Sequence, residues 1–339
     1  MSPGRSIPKR AIIVLGMVLL VVPLALWRSH GKSPIPGHSQ PRPPIHLTFL
    51  VASDTHLGLD SPEDPSRDVL KQPTPIEQRN LAMIERMNTL AGTPLPPALG
   101  GSVETPRALL VTGDLTEDGE EGQWRSFAQL YGLNGRDGLL HLPVYESGGN
   151  HDHQKAAVVA EHIRARHGGP NYAFDLGGIH FISLGEAPDD QGLAFLGADL
   201  RTKDATTPLI LCFHLPLQGP WAERNWFGQG NYRERLRTLL AGRKVLAIFH
   251  GHSHITSAYR WNGIDVYNPG SVKHSQRAFL VVDIRGEAMT VAAWNLDFEG
   301  WWWWHRKSLA PASAKLPELV GLQAPGGFQP QPYFLLQPR

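Results

Sequence analysis

The residues of this chain that could do chemistry come in short clusters of Asp, His and Asn. They are Asp54-Thr55-His56, Gly113-Asp114, Gly149-Asn150-His151-Asp152, a lone His214, and His250-Gly251-His252-Ser253-His254. Each follows an apolar run, at residues 46–53, 107–112, 142–147, 208–213 and 244–249. Such runs predict buried β-strands. Asp54 and His56 are two residues apart, as are His252 and His254, and this is the period at which side chains of an extended chain share a face. Gly251 is expected to let the backbone turn tightly beside a bulky ion. Imidazole is the commonest protein ligand for divalent transition metals, and imidazole mixed with carboxylate suits Mn, Fe or Zn better than Ca or Mg. The donors are too many for one ion. They suit two divalent transition-metal ions (Mn, Fe or Zn) roughly 3.5–4 Å apart and bridged by a carboxylate.

Those clusters need a frame that brings strand ends together. Helical periodicity appears at 76–90, with Met83, Met87 and Leu90 on one face that reads as core packing. A second helix is predicted to start near Glu120, with Trp124, Phe127, Ala128 and Tyr131 inward. Others are predicted at 153–167, closed by Gly168 and Gly169, and at 232–241. Residues 172–175 and 179–184 read as a hairpin around Gly177-Gly178. Short strands are expected at 257–261, 264–267, 278–284 and 289–295. Strand–helix alternation followed by strand-rich segments predicts an α/β fold of two packed sheets with helices outside. In open α/β sheets functional groups gather at the carboxyl ends of strands, where every cluster here falls.

The set D-x-H, G-D-x-x-x-D-G, G-N-H-D, H and G-H-x-H, in this order over roughly residues 45–295, resembles the calcineurin-like metallophosphoesterase superfamily. The resemblance implies a four-layer α/β/β/α sandwich of two mixed sheets flanked by helices. It implies that Asp54, His56, Asp114 and His254 hold a first ion, and that Asp114, Asn150, His214 and His252 hold a second, with Asp114 bridging. His151 matches the family's unligated histidine, which protonates the leaving oxygen or stabilises the phosphoryl group. The implied reaction is hydrolysis of phosphate mono- or diesters by a hydroxide bridging the ions. The family usually has Asp three residues after the bridging Asp, where it orients that histidine. This chain has Glu117 there, with Asp118 next. It lacks the Tyr that purple acid phosphatases carry at that position. G-N-H-D, in place of G-N-H-E, points away from serine/threonine protein phosphatases and towards bacterial phosphodiesterase-like members. The rival reading is a metal-stabilised binding or scaffold protein at the membrane surface that has lost catalysis. The presence of His151 argues against it.

The 339 residues are 41% hydrophobic and 19% charged, enough for one large domain or two ordinary ones. A net charge of +1 indicates no nucleic-acid partner. The single cysteine, Cys212, permits neither an intrachain disulfide nor a thiolate cluster, and reads as a small core residue. Arg5, Lys9 and Arg10 precede an apolar run from Ala11 to Trp27. Residues 1–27 are therefore expected to be an uncleaved signal anchor in preference to a cleaved signal peptide, with the catalytic domain extracytoplasmic, or secreted if cleavage occurs. Residues 28–44 read as a Pro-rich linker, 45–298 as the catalytic domain, and 299–339 as a Trp- and Pro-rich tail. Four consecutive tryptophans, Trp301 to Trp304, cannot share one strand face. Some are expected to cover the domain and the rest to lie half exposed, with membrane-interface contact as the sharper alternative. His250 reads as supporting the ligands or packing the strand, and Asn268-Pro269-Gly270-Ser271 as a structural turn. Lys273 and His274 read as solvated loop residues, with contact to a substrate phosphate as the alternative, and Trp221, Trp226 and Phe227 as a pocket roof that sets specificity. A phosphate-ester substrate and a membrane are the expected partners. Substrate identity and oligomeric state stay open.

Overall fold

Seven strands run in the order their apolar runs predict: β1 (His46–Ala52), β2 (Leu109–Val111), β3 (Val144–Glu146), β4 (Tyr172–Leu176), β5 (Ile179–Ser183), β6 (Leu209–Cys212) and β7 (Val245–Phe249). The computed structural model describes residues 44–60, 68–219, 222, 231–274, 276–310, 317–323 and 333–335. The expected anchor at 1–27, the linker up to residue 43, and Trp221, Trp226 and Phe227 lie outside them. Among the described residues no helix is long and apolar enough to cross a membrane. The described residues fall in one unit, Pro43–Arg339.

Between the strands lie α1 (Pro75–Asn88), α2 (Glu121–Tyr131), α3 (Val158–His167), α4 (Asp190–Leu200) and α5 (Tyr232–Leu240). Thr74 and Glu77 form a capping box at the start of α1. The predicted helix at 153–167 starts later, because His151–His153 forms a separate 3-10 turn. Helix α4 escaped the sequence reading. Its signal was Asp189, whose carboxylate accepts the Gly192 N–H at 2.7 Å as an N-cap. After β7 come β8 (Ser257–Trp261), β9 (Ile264–Asn268), β10 (Ala278–Arg285), β11 (Ala288–Asn295), β12 (Gly300–Ser308), β13 (Leu319–Leu322) and β14 (Tyr333–Leu335).

These strands make two mixed seven-stranded sheets, ordered β13-β12-β11-β10-β1-β2-β3 and β14-β8-β9-β7-β6-β5-β4. In the first, β1, β2 and β3 are parallel; in the second, β5, β6, β7 and β9 are. Phe49, Phe181, Phe249, Leu280 and Trp303 join one buried core between the sheets. A second core packs α1, α2 and α3 on the outer face of the first sheet. A third packs α4 and α5 on the second sheet. The parallel strands β2, β6 and β7 run apolar throughout because both of their faces are covered.

The expected boundary at 298 is corrected. Residues 300–308 are β12, paired on both sides within the first sheet, and β13 and β14 extend the two sheets. The half-exposed tryptophans and the membrane-interface alternative are corrected with it, since Trp301 to Trp304 are all buried. A register shift explains how. Ala293 pairs with Trp303 but Trp294 pairs with Trp301, so Trp302 is an extra residue on β12. The resulting bulge breaks the period of two. Trp301 and Trp304 enter the helix-side core, and Trp302 and Trp303 enter the core between the sheets.

A charged network ties β12 to the second sheet. Lys307 Nζ reaches Asp265 Oδ2 at 2.6 Å, and Arg260 Nε reaches Asp265 Oδ1 at 2.8 Å. Burial pushes the Asp265 carboxyl up, but Lys307 and Arg260 hold it at about 2. A carboxyl depressed in the fold contributes stability above its unfolded value near 4, and that stability fades as pH falls towards 2. Asp265→Asn is therefore expected to cost roughly 2 kcal/mol at pH 7 and much less at pH 2. Urea unfolding at both pH values checks it; an equal loss at the two would contradict the assignment.

Candidate metal centre

All five chemical clusters lie just past the carboxyl ends of β1, β2, β3, β6 and β7. The pleat does not bring them together, which corrects the expected reason for their convergence. Asp54, His56, Asp114, His252 and His254 all have left-handed backbones, with φ of 55, 46, 50, 69 and 56°. Only three other non-glycine residues among those described do so, so this unfavourable geometry is concentrated at the site. Each such turn costs of order 1 kcal/mol and persists where surrounding contacts over-determine it. The contacts are backbone bonds across the strand ends: Asp54 N–H to Gly113 O at 2.9 Å and His56 N–H to Asp114 O at 3.0 Å.

The glycines of these turns serve close approach. A Cβ on Gly251 would lie 1.9 Å from Ser53 Oγ and 2.6 Å from Asp54 Oδ2. A Cβ on Gly149 would lie 2.3 Å from both the backbone nitrogen and Oδ1 of Asp114. So Gly251 makes room for the Asp54 carboxylate instead of supplying an unusual turn.

Three groups of donors result, one of them His56, Glu117 and His151, and the other two share Asp114. Asp54, His56, Asp114 and His254 form one, and Asp114, His214 and His252 the other, with ligand atoms in each group within 4.8 Å of one another. In the first, His254 Nε2 is 3.1 Å from Asp54 Oδ1 and 3.0 Å from His56 Nε2. His56 Nε2 is 3.6 Å from Asp114 Oδ2. In the second, His214 Nε2 is 3.2 Å from Asp114 Oδ2. Asn150 Oδ1 faces His214 Nε2 at 3.1 Å and His252 Nδ1 at 2.8 Å. All seven predicted donors are thus brought together.

The arrangement calls for positive charge. His56 Nδ1–H donates to Glu117 Oε2 at 2.7 Å, and His214 Nδ1–H donates to Thr112 O at 2.8 Å. Those bonds leave each Nε2 turned inward as a bare ligand nitrogen. Asp114 Oδ2 is buried and has no hydrogen-bond partner. Buried polar atoms are nearly always satisfied, so acceptors converging on an orphaned carboxylate oxygen fit a cation between them. The titration points the same way. Burial opposes charge on His214, yet Asp114 and then Asp54 lift it to about 10, so the carboxylates around it favour positive charge at this position. Burial and the neighbouring His214 push His252 down to about 4, the neutral form a metal ligand needs.

His151 stands outside the two groups that share Asp114. Its Nδ1–H donates to the backbone carbonyl of Glu117 at 2.8 Å, its backbone N–H donates to Asp114 Oδ1 at 2.9 Å, and its side chain is 24% exposed. Its other nitrogen is therefore open to a ligand. The Glu117 carboxylate, expected to orient His151, binds His56 instead; Oε1 lies 3.8 Å from His151 Nδ1. Lys273 explains the diversion. Its ammonium reaches Glu117 Oε2 at 3.0 Å and Oε1 at 3.2 Å. With a side chain 13% exposed, Lys273 is a member of the site and not a solvated loop residue. Nothing local to Lys273 marked it; the contact joins positions 156 apart.

Asp152 was also missed, although it stands inside G-N-H-D. Its buried carboxylate accepts the N–H groups of Gly149, Leu115 and Thr116 at 2.8, 3.1 and 2.9 Å, and the Thr116 hydroxyl at 2.9 Å. It clamps the turn after β3 to the turn after β2. Ser271 Oγ donates to Asp54 O at 2.8 Å, and Asn268 Nδ2 donates to Gly251 O at 2.8 Å, so the 268–271 turn props two ligand loops. His250 is buried against Tyr259, whose hydroxyl meets its Nε2 at 3.0 Å. Cys212 is buried, and burial pushes its thiol up to about 11.

A family model described as calcineurin-like phosphoesterase matches residues 47–256. No curated protein matches the chain. Among solved structures, GAP50, described as the anchor in the inner membrane complex of Plasmodium, is 10% identical with a TM-score of 0.53, covering 79% of this chain and 90% of that one. A predicted phosphoesterase of Streptococcus pneumoniae is 13% identical with a TM-score of 0.36, covering 81% and 98%. A phosphopantetheinyl hydrolase of Mycobacterium tuberculosis is 12% identical with a TM-score of 0.38, covering 68% and 91%.

Proposed function

The chain belongs to the calcineurin-like phosphoesterase family, and on that premise we propose that it is a phosphate-ester hydrolase dependent on two divalent transition-metal ions. One observation carries the reading. Asp114, whose buried Oδ2 makes no hydrogen bond, is shared by two groups of ligand atoms. Asp54, His56, Asp114 and His254 would hold one ion, and Asp114, Asn150, His214 and His252 the other. Mixed carboxylate, amide and imidazole donors suit Mn, Fe or Zn. When bound, such ions neutralise phosphate oxygens and acidify water.

The chain's own residues supply the rest. Glu117 holds His56, and Thr112 holds His214, each in the tautomer that turns Nε2 inward. The Glu117 carbonyl holds the His151 Nδ1–H and leaves Nε2 facing outward, so that the ring in its doubly protonated form would give the Nε2 proton to the departing oxygen and remain as the neutral Nδ1–H imidazole. A metal site that served only to stabilise the fold would not need that free imidazole. The substrate is a phosphate mono- or diester, and the segment at 1–27 would hold the domain at the outer membrane surface.

Turnover of a chromogenic phosphate ester with added Mn, Fe or Zn tests this. Absence of turnover with every metal, in protein that binds them, would leave a metal-stabilised binding protein. Within the hydrolase reading, His151→Ala is expected to slow turnover on the order of 10²-fold with metal content unchanged. Metal analysis beside the rate assay checks it, and loss of both ions from the variant would contradict the role.

A further inference from the structure

Lys273, Glu117 and His56 form a line of side chains, and the hydrolytic reading uses the last two but not the lysine. Lys273 Nζ meets Glu117 Oε2 at 3.0 Å, and Glu117 Oε2 meets His56 Nδ1 at 2.7 Å. His56 Nε2 then faces Asp114 and His254. The lysine is itself anchored. Its backbone N–H donates to Ser271 Oγ at 2.9 Å, and its carbonyl accepts Arg79 Nη1 at 2.6 Å. Ser271 in turn bonds the Asp54 carbonyl. The loop bearing Lys273 is thus tied to both β1-end ligands. The Glu117 backbone carbonyl holds His151 at the same time.

We propose that Glu117 and Lys273 are positioning residues for the first metal position: Lys273 pins the Glu117 carboxylate, which fixes the tautomer and ring of His56. The proposal rests on the two-ion reading above. A carboxylate behind a metal-bound imidazole orients the ring and raises its basicity, and losing one costs about 10–100-fold in metal affinity or activity. Lys273 adds a second demand. Without it a Glu side chain has the reach and freedom to leave His56, or to turn on the ion itself. The ammonium also brings positive charge within 3.4 Å of His56 Nδ1. Charge alone would weaken metal binding, whereas positioning strengthens it, so the two roles predict opposite signs.

The test is Mn affinity by competition with a chelator, with metals per chain, apo melting temperature, kcat and KM measured beside it. Glu117→Gln is expected to lower affinity at one of two positions by about 10–100-fold. Lys273→Met is expected to lower it several-fold with KM unchanged, and Lys273→Arg, which can pair with the same carboxylate, to restore it. The apo melting temperature should stay put, since a merely structural pair would shift that and not the affinity ratio between positions. Tighter Mn binding by Lys273→Met would overturn the proposal in favour of simple charge repulsion. Unchanged affinity with raised KM would overturn it in favour of a lysine that touches the substrate phosphate. A wild-type protein that binds fewer than two ions would instead sink the two-ion reading on which it stands.

Discussion

Asp114→Ala is expected to leave the protein without either ion and without measurable turnover. The residue is the one donor common to both proposed metal positions, so its loss removes a ligand from each at once. It also removes the acceptor for the His151 backbone N–H, which sets the turn after β3. His214 faces its Oδ2 at 3.2 Å and loses its main source of negative charge. Removing one partner of a buried charged pair costs about 3–5 kcal/mol. Apart from that loss of stability, bound ions supply several kcal/mol of transition-state stabilisation; at 1.36 kcal/mol per tenfold in rate, a fall of at least about 10²–10³-fold is expected even if some metal remains. Asp114→Asn keeps an acceptor for His151 but halves the charge available to two ions. It should retain the fold and one weakly held ion. Metals per chain, measured by elemental analysis after gel filtration, decide the point. Two ions per chain in the Ala variant would remove Asp114 from the bridging position.

Asp152→Ala is expected to lose about 3 kcal/mol or more of folding stability, and metal binding with it. The carboxylate serves three backbone N–H groups and one hydroxyl from two different turns. Leaving a buried donor unsatisfied costs about 1–3 kcal/mol each. The opposing contribution is real: burial and then the neighbouring Asp114 push the Asp152 carboxyl up to about 6, so its own charge is not free to keep. The donors outnumber that strain, because alanine relieves one repulsion and orphans three amides. Asp152→Asn keeps one acceptor oxygen and sets an amide N–H₂ against the remaining amides, so it should fall between the two. Urea unfolding of metal-free protein measures the loss, and a change below 1 kcal/mol would show that the two turns hold each other without the clamp.

The sequence by itself determined which residues of this protein could do chemistry. Seven donors could be named from residue type and from their place after apolar runs, since a buried run that ends in Asp, His or Asn carries its own statement of burial and exit. The same apolar runs set β1, β2, β3, β6 and β7. Tertiary structure decided how the donors meet. The left-handed turns at Asp54, His56, Asp114, His252 and His254 are held by bonds between strands that no local pattern records. Lys273 reaches Glu117 across 156 positions, and Asp152 reaches Leu115 across 37, so neither partner leaves a mark near the other. The tryptophans show the same limit. Four in a row broke the alternation expected of a strand, and only the bulge opposite Ala293 and Trp294 sends them in pairs to two cores. Residue identity is a local property, while register, turn hand and the partner of a buried charge depend on what the rest of the chain places beside it.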